Sequence, residues 1–323
     1  MNLIYEICRL IFVMSLNRIV NWLLFLLLCI IWGSSFIIMK HSKEELTASQ
    51  IAALRIFTAG LVFLPLALFH LSKVSRRKIP LVILSGITGN LVPAFLFATA
   101  IAKNIDSSLA SILNSLTPIF VVLIAIGIFK DKIKIQNILG VLIGFSGLTL
   151  LFLFWKGISF ENFKYASLIL FATICYGVNV NMVSHFLKEI NPVHIATISL
   201  AFLTIPTAFV LWQQHFLQVE FDQPSVQWAV VEAVALGVVG SSIATALFYV
   251  LIKRAGGLFA SLVTYGVPFI GIFWGVVDGE NITAKEVGCL GIILVGVYLA
   301  NKREKKKRNT DVLLSKEFAE KAV

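Results

Sequence analysis

Charge is what this sequence most lacks. Of its 323 residues only 14% are Asp, Glu, Lys or Arg, against 58% hydrophobic. A soluble domain carries roughly 25% charged residues, because its surface has to meet water. A water-exposed surface over the whole chain is therefore excluded, and lipid is the solvent that accepts this composition. Cysteine is also scarce: Cys8, Cys29, Cys175 and Cys289 make no CxxC pair. The last three lie in apolar runs and read as buried structural thiols. The five histidines show no HExxH spacing, so no metal site and no cofactor is expected. A P-loop is missing, which excludes ATP-driven work by this chain alone. No acidic residue sits deep in an apolar run, so a buried carboxylate proton relay is absent. The formal net charge of +10 is spread over short clusters and a tail, with no folded basic face left to meet a duplex, so nucleic acid is not an expected partner.

What is present is a series of long apolar runs. A bilayer core of about 30 Å is crossed by about 20 apolar residues in a helix. Such runs fall at 19–39, 50–71, 79–101, 108–129, 135–155, 163–184, 193–212, 228–251, 258–277 and 286–301, numbered here as spans 1 to 10. They are continuous and lack the alternation of barrel strands, so the expected fold is an all-α integral membrane protein. Residues 1–18 carry Glu6, Arg9 and Arg18, and their apolar stretch Leu10–Val13 is too short to span. They read as an amino-terminal cytoplasmic segment, either a short interfacial helix or an extension upstream of a true start at Met14. No small-residue cleavage site marks a signal peptide. Residues 302–323 form a basic tail.

Lys and Arg in the connecting segments set the orientation. The amino-terminal side holds 18, among them Arg76, Arg77, Lys78, Lys130, Lys132, Lys134 and the run from Lys302 to Arg308; the other side holds six: Lys40, Lys43, Lys103, Lys156, Lys164 and Lys285. The expected topology has both termini cytoplasmic in an inner (plasma) membrane, which requires an even number of spans.

The chain repeats itself. Trp32-Gly33 recurs as Tyr176-Gly177, and at the same 144-residue offset His41, Glu45, Ile51 and Ala52 meet His185, Glu189, Ile195 and Ala196. Further on the offset is 150, pairing Lys103, Ala110, Ser111 and Pro118 with Lys253, Ala260, Ser261 and Pro268. Residues 19–155 and 163–301 are thus two copies of a five-helix unit. Five is odd, so the second copy enters the membrane from the opposite side. Inverted repeats are common in secondary transporters, with the substrate site near the midplane between the halves. A duplicated scaffold without transport is the plainer alternative.

These segments resemble the drug/metabolite transporter superfamily, in particular its EamA-type ten-helix branch. The resemblance covers about residues 20–301. It is carried by Ile31-Trp32-Gly33-Ser34-Ser35-Phe36, Leu54-Arg55-Ile56, Ala110-Ser111 with Thr117-Pro118, Ala260-Ser261 with Val267-Pro268, and Gly279-Glu280. Lys130-Asp131 departs from the pattern, where the family often has Glu. The resemblance implies passage of a small metabolite, an amino acid or related solute, with export as the expected direction and alternating access as the mechanism. A lipid or lipid-linked-sugar flippase of the same fold is the alternative. A membrane enzyme is a lesser one, because polar groups such as His41, Glu44, Asp106, Glu161 and Asp222 are scattered without catalytic spacing.

Depth in a span selects the site candidates, since polar groups in lipid usually face a cavity or a neighbouring helix. Asn90 lies at the middle of span 3, and its repeat partner is Gly240, followed by Ser241 and Ser242. Asn114 and Ser115 in span 4 match Thr264 and Tyr265 in span 9, one turn before Pro118 and Pro268. Each proline frees the carbonyl four residues back, that of Asn114 or Thr264, so backbone acceptors and polar side chains are expected to coincide near the midplane. Span 1 adds Trp32, Ser34 and Ser35, and span 6 adds Tyr176, Asn179 and Asn181. These either bind substrate or serve as hydrogen-bonded packing, with Gly33 and Gly177 admitting close helix approach. Tyr265 and Trp274 are further candidates to shape a cavity, whereas Trp22, Trp155, Trp212 and Trp228 fit interfacial anchoring. Arg55 and Glu232 lie about one turn inside spans 2 and 8 on the non-cytoplasmic side. They snorkel, pair, or gate an outer mouth.

Overall fold

A long apolar segment in lipid satisfies its backbone by bonding within itself, and helices supply the regular structure here. The computed structural model describes residues 2–130, 135–154 and 160–301, and among these there is no β-strand. In chain order the helices are α1 (Asn2–Ser42), α2 (Ala48–Leu71), α3 (Ile79–Gly86), α4 (Val92–Ala102), α5 (Ser107–Asn114), α6 (Thr117–Gly127) and α7 (Ile135–Phe154). They continue as α8 (Phe160–Phe186), α9 (Pro192–Gln213), α10 (Pro224–Ala235), α11 (Ala244–Ala255), α12 (Gly257–Ser261), α13 (Val263–Val277) and α14 (Ala284–Asn301). Two π-helical segments join α3 to α4 (Ile87–Leu91) and α10 to α11 (Leu236–Ile243).

Among the described residues, eight segments are long and apolar enough to cross a membrane: Arg18–Ser42, Ala48–Leu71, Arg76–Ala102, Ser107–Gly127, Phe163–Phe186, Pro192–Gln213, Pro224–Ala255 and Phe259–Val277. They coincide with spans 1–4 and 6–9. Spans 5 and 10 fall on α7 and α14, which lie outside the eight and pack on each other. There Gly296 comes so close to Gly144 that an added Cβ would stand 2.2 Å from the Gly144 nitrogen. The chain before Arg18 is helical and continuous with span 1, so it forms no separate interfacial helix. Lys132, Lys134, Lys156, Trp155 and the tail from Lys302 lie outside the described residues.

Local chemistry places the helix starts. Thr47 opens α2 with a capping box: its hydroxyl accepts from the Gln50 N–H at 3.2 Å, and Gln50 Oε1 accepts from the Thr47 N–H at 2.9 Å. At the position 144 residues on, Asn191 caps α9 by accepting from Val193 N–H at 3.0 Å, with Pro192 following. Helix packing then crosses between the halves. α2 lies on α9, α1 on α13, and α8 on α6. Gly33 lets α1 approach Ile270 and the Val267 carbonyl of α13, and Gly177 lets α8 approach Phe120 and Ile124 of α6. The packing role of both glycines is therefore the one the structure shows.

Candidate functional site

Pro118 and the residues before it interrupt span 4. α5 ends at Asn114, a short turn carries Ser115 and Leu116, and α6 begins at Thr117. The Asn114 carbonyl, which Pro118 cannot serve, accepts instead from the Thr117 hydroxyl at 2.8 Å. In span 9 the interruption falls at Leu262, between α12 and α13, and Pro268 sits inside α13. The two breaks are thus not at matching repeat positions. The two π segments are: Ile87–Leu91 shifted by 150 residues falls within Leu236–Ile243. A π turn widens the backbone and is frequent at functional sites. Pro93, unable to donate to Gly89, follows the first. The second has no proline, but Gly237 lies against Arg55 and Thr58, where an added Cβ would stand 2.5 Å from the Arg55 carbonyl.

Between these irregular segments is a cavity of about 70 Å³. Helices α1, α2, α4, α5, α6, α8, α11, α12 and α13 and both π segments contribute to its wall. Of the sequence candidates, Trp32, Ser35 and Asn90 line it, as do Asn114, Tyr176, Asn179 and Thr264. Arg55 lines it too, half-buried, and so faces the cavity interior. The remaining candidates lie elsewhere. Ser115 is fully buried and donates to the Ile112 carbonyl at 2.6 Å, closing the turn after α5. Tyr265 packs half-buried against the core. Ser241 stands behind the wall and accepts from Arg55 Nε at 2.8 Å. Pro118 and Pro268 shape their helices without lining the cavity. Trp274 donates to Ser34 Oγ at 2.9 Å, joining α13 to α1. Asn181 donates to the carbonyls of Val121 and Gly177, both at 2.9 Å, and is packing between α8 and α6.

The polar groups on the wall divide into satisfied and open ones. Trp32 Nε1 donates to the Gly240 carbonyl at 3.0 Å, and Thr264 Oγ1 to that of Ser261 at 2.8 Å. Thr245 Oγ1 donates to Asn90 Oδ1 at 2.8 Å, which leaves Asn90 Nδ2 buried with no partner. Thr245, Thr117 and Ser261 are wall residues that the depth filter passed over. Ser261 stood in plain view in the repeated Ala-Ser pair, while Thr245 has Phe95 as its repeat counterpart and so carried no signal. Phe97, Phe248 and Tyr249 complete an aromatic wall that also had no repeat signature.

Glu232 belongs to a different cluster at the end of the bundle where α1 stops. Arg55 and Glu232 do not pair. Glu232 accepts from Ser42 Oγ at 3.0 Å and lies 3.9 Å from His41 Nδ1. Lys40 reaches Asp278 Oδ2 at 2.6 Å and Glu280 Oε1 at 2.8 Å. Glu280 accepts further from Ser107 N–H at 3.0 Å, Ser107 Oγ at 2.7 Å and Ser108 N–H at 3.1 Å. It thereby caps α5 from across the chain, a task Asp106 at the N-cap position leaves undone. Burial pushes the Glu280 carboxyl up, but the bonds from Lys40, Ser108 and Ser107 outweigh this and hold it below its ordinary value. Bonds from Lys40 and His41 hold Asp278 low as well. Burial and the neighbouring Glu280 charge push Asp106 up.

A multi-pass helical protein with a polar cavity inside its bundle has the architecture of a membrane transporter. The chain belongs to the EamA-like transporter family, whose model matches residues 21–153 and again 163–302. It is 22% identical over 281 residues to an uncharacterised transporter of Archaeoglobus fulgidus, covering 86% of this chain and 98% of that one. An uncharacterised transporter of Synechocystis is 23% identical over 308 residues, covering 86% and 88%. Among solved structures, one described only as a crystal structure of a protein superposes with a TM-score of 0.60 at 17% identity, covering 92% of this chain and 98% of that one; it shows the fold alone.

Proposed function

We propose that this protein is a secondary transporter or facilitator that moves a small metabolite, an amino acid or related solute, across the cytoplasmic membrane by alternating access, in the direction of export. It has ten spans in two inverted five-helix repeats, 19–155 and 163–301, and both termini are cytoplasmic. The observation that carries this reading is the cavity, whose wall takes side chains from both halves. Support for the inverted repeat comes from the packing. Exchanging the halves turns the α1–α13 contact into the α8–α6 contact, and leaves α2–α9 and α7–α14 as they are. The matching π segments add to it. The bias of Lys and Arg supports the orientation.

The test is flux in proteoliposomes, with amino acids and small metabolites as solutes and Asn114→Ala as the control. Saturable flux that falls several-fold in the folded variant is the expected result. Full flux in the variant keeps the transporter and moves the site. No solute flux, together with scrambling of a fluorescent lipid, gives the flippase.

A further inference from the structure

We infer that the cavity binds an organic monocarboxylate, with the carboxylate seated on Arg55. The inference rests on the cavity just assigned to transport and names the chemical class it takes. Arg55 is the one charged side chain on the wall, and no Asp or Glu lines it. Its guanidinium offers five N–H donors in a planar fork. Nε is used by Ser241 at 2.8 Å, and the other contact is Nη1 to the Met39 sulfur at 4.0 Å. Among the described residues no ion pair includes Arg55. A cation held inside a membrane bundle without a counter-ion is costly. A ligand oxyanion entering the cavity removes that cost.

A second donor points the same way. Asn90 is only 7% exposed, its Nδ2 has no partner, and it lines the same cavity. Asn114 adds an amide whose printed bond uses its oxygen, not its nitrogen. The open groups are thus donors, and the complementary ligand group is an acceptor with several lone pairs. A carboxylate matches the guanidinium fork with two parallel bonds. The rest of the wall, including Trp32, Phe97, Tyr176 and Phe248, offers apolar faces to the body of the ligand. An ammonium group finds no carboxylate there and meets the repulsion of Arg55. The cavity therefore favours a monoanion over a zwitterion or a cation of the same skeleton.

Binding to the full-length protein in detergent micelles tests this, read by isothermal titration. The probes are propanoate and 3-phenylpropanoate, each against its alcohol, with phenylalanine and 3-phenylpropylamine for the other charge states. A charge-assisted hydrogen-bonded pair corresponds to a preference of about tenfold or more for the acid over the alcohol. Arg55→Gln is expected to abolish that preference while the alcohol binds as before. Asn90→Leu lowers acid affinity several-fold with Arg55 in place. If Arg55→Gln does not fold, Arg55→Lys decides, since it keeps the charge but not the fork: a preference cut several-fold supports the assignment and an unchanged one overturns it. Tighter binding of the amine or of phenylalanine overturns it, and so does absence of binding by both acids. Because flux is not read, lost acid binding with intact flux of another solute sinks the anchor alone. Intact acid binding without flux sinks the transport reading alone.

Discussion

Where α1 ends, Lys40 lies between Asp278 and Glu280, and Glu280 binds the start of α5 at Ser107 and Ser108. The positions related to these by the repeat offsets lie at the opposite end of the bundle: Ser184 for Lys40, Ile128 and Lys130 for Asp278 and Glu280, and Gly257 for Ser107. The backbone contact is kept there. Gly257 sits so near α8 that an added Cβ would stand 2.8 Å from Ser184 Oγ. The charges are not kept. In their place Phe129 stacks on His185 with ring centroids 4.1 Å apart and touches Phe186 at 5.4 Å. One scaffold junction is thus closed by ion pairs at one end and by aromatic rings at the other. A multiply bonded, buried carboxylate resists opening because every lost partner leaves a charge to be re-solvated. A half-buried ring stack gives way more easily. The two ends differ in the energy needed to open them, which gives a repeat protein a preferred side.

Removing Glu280 breaks this comparison most strongly. Glu280 is 3% exposed, so Glu280→Ala leaves Lys40 short of a partner and α5 uncapped. Breaking a buried pair from one side costs about 3–5 kcal/mol. Lys40 is 23% exposed and keeps Asp278, so the expected loss is about 2–3 kcal/mol, read from reversible unfolding in mixed micelles. A loss no larger than that of a surface Glu would mean the network closes nothing. The same bonds set a pH dependence. Both carboxyls are held below their ordinary values of 4.5 and 3.8 in the fold. Their stabilisation is therefore complete above about pH 5 and is lost as pH falls through the lowered values. The gap between wild type and Glu280→Ala stays constant from neutral pH to that point and narrows below it. A gap that widens in acid contradicts the assignment.

The glycines of the crossed packing sharpen the comparison further. An added Cβ at Gly33 meets the Ile270 Cβ at 2.5 Å and the Val267 carbonyl at 3.0 Å, while at Gly177 the nearest atoms are all at 3.0 Å or beyond. Overpacking costs about 1–3 kcal/mol. Gly33→Ala is expected near the upper half of that range, at about 2 kcal/mol, and Gly177→Ala at about 1 kcal/mol, by the same unfolding measurement. Equal losses would mean that the two crossings are packed alike and that the asymmetry resides in the charges alone.

Much of this was legible in the residues, for physical reasons that differ from case to case. Long apolar runs have one backbone solution in lipid, so the helices followed from composition. Depth in a span found Asn90, Asn114, Tyr176 and Asn179 on the cavity wall, because a polar group at the midplane has few places to face. The same filter misjudged Arg55. Its position near a span end suggested the membrane surface, whereas the close approach of Gly237 to α2 turns its side chain into the cavity wall. The π segments were invisible, since no residue type demands an i to i+5 bond. Tyr265 and Ser115 failed because adjacent residues on a helix face different ways, and only Asn114 and Thr264 of the two matched pairs look inward. Glu280 was noted as a family feature, but its four bonds join segments over 170 residues apart, which spacing along the chain does not reveal.

The smallest effect tests the weaker end. Phe129 is half-buried and its stack with His185 is nearly parallel, at 24°. Such a pair is worth about 0.5–1.5 kcal/mol beyond burial, so Phe129→Ala is expected to cost about 1 kcal/mol, less than half the loss at Glu280. A change of that size shifts a two-state opening equilibrium about fivefold. The shift is readable in a background with all four cysteines replaced and Ser35, on the cavity wall, changed to Cys. In sealed vesicles of either orientation, an impermeant maleimide reports which side reaches the cavity. Phe129→Ala should speed labelling from the side of Lys78 and slow it from the side of Lys40, and Glu280→Ala should do the reverse. If both substitutions speed labelling from both sides, the two ends do not oppose each other, and alternating access around this cavity is the wrong mechanism.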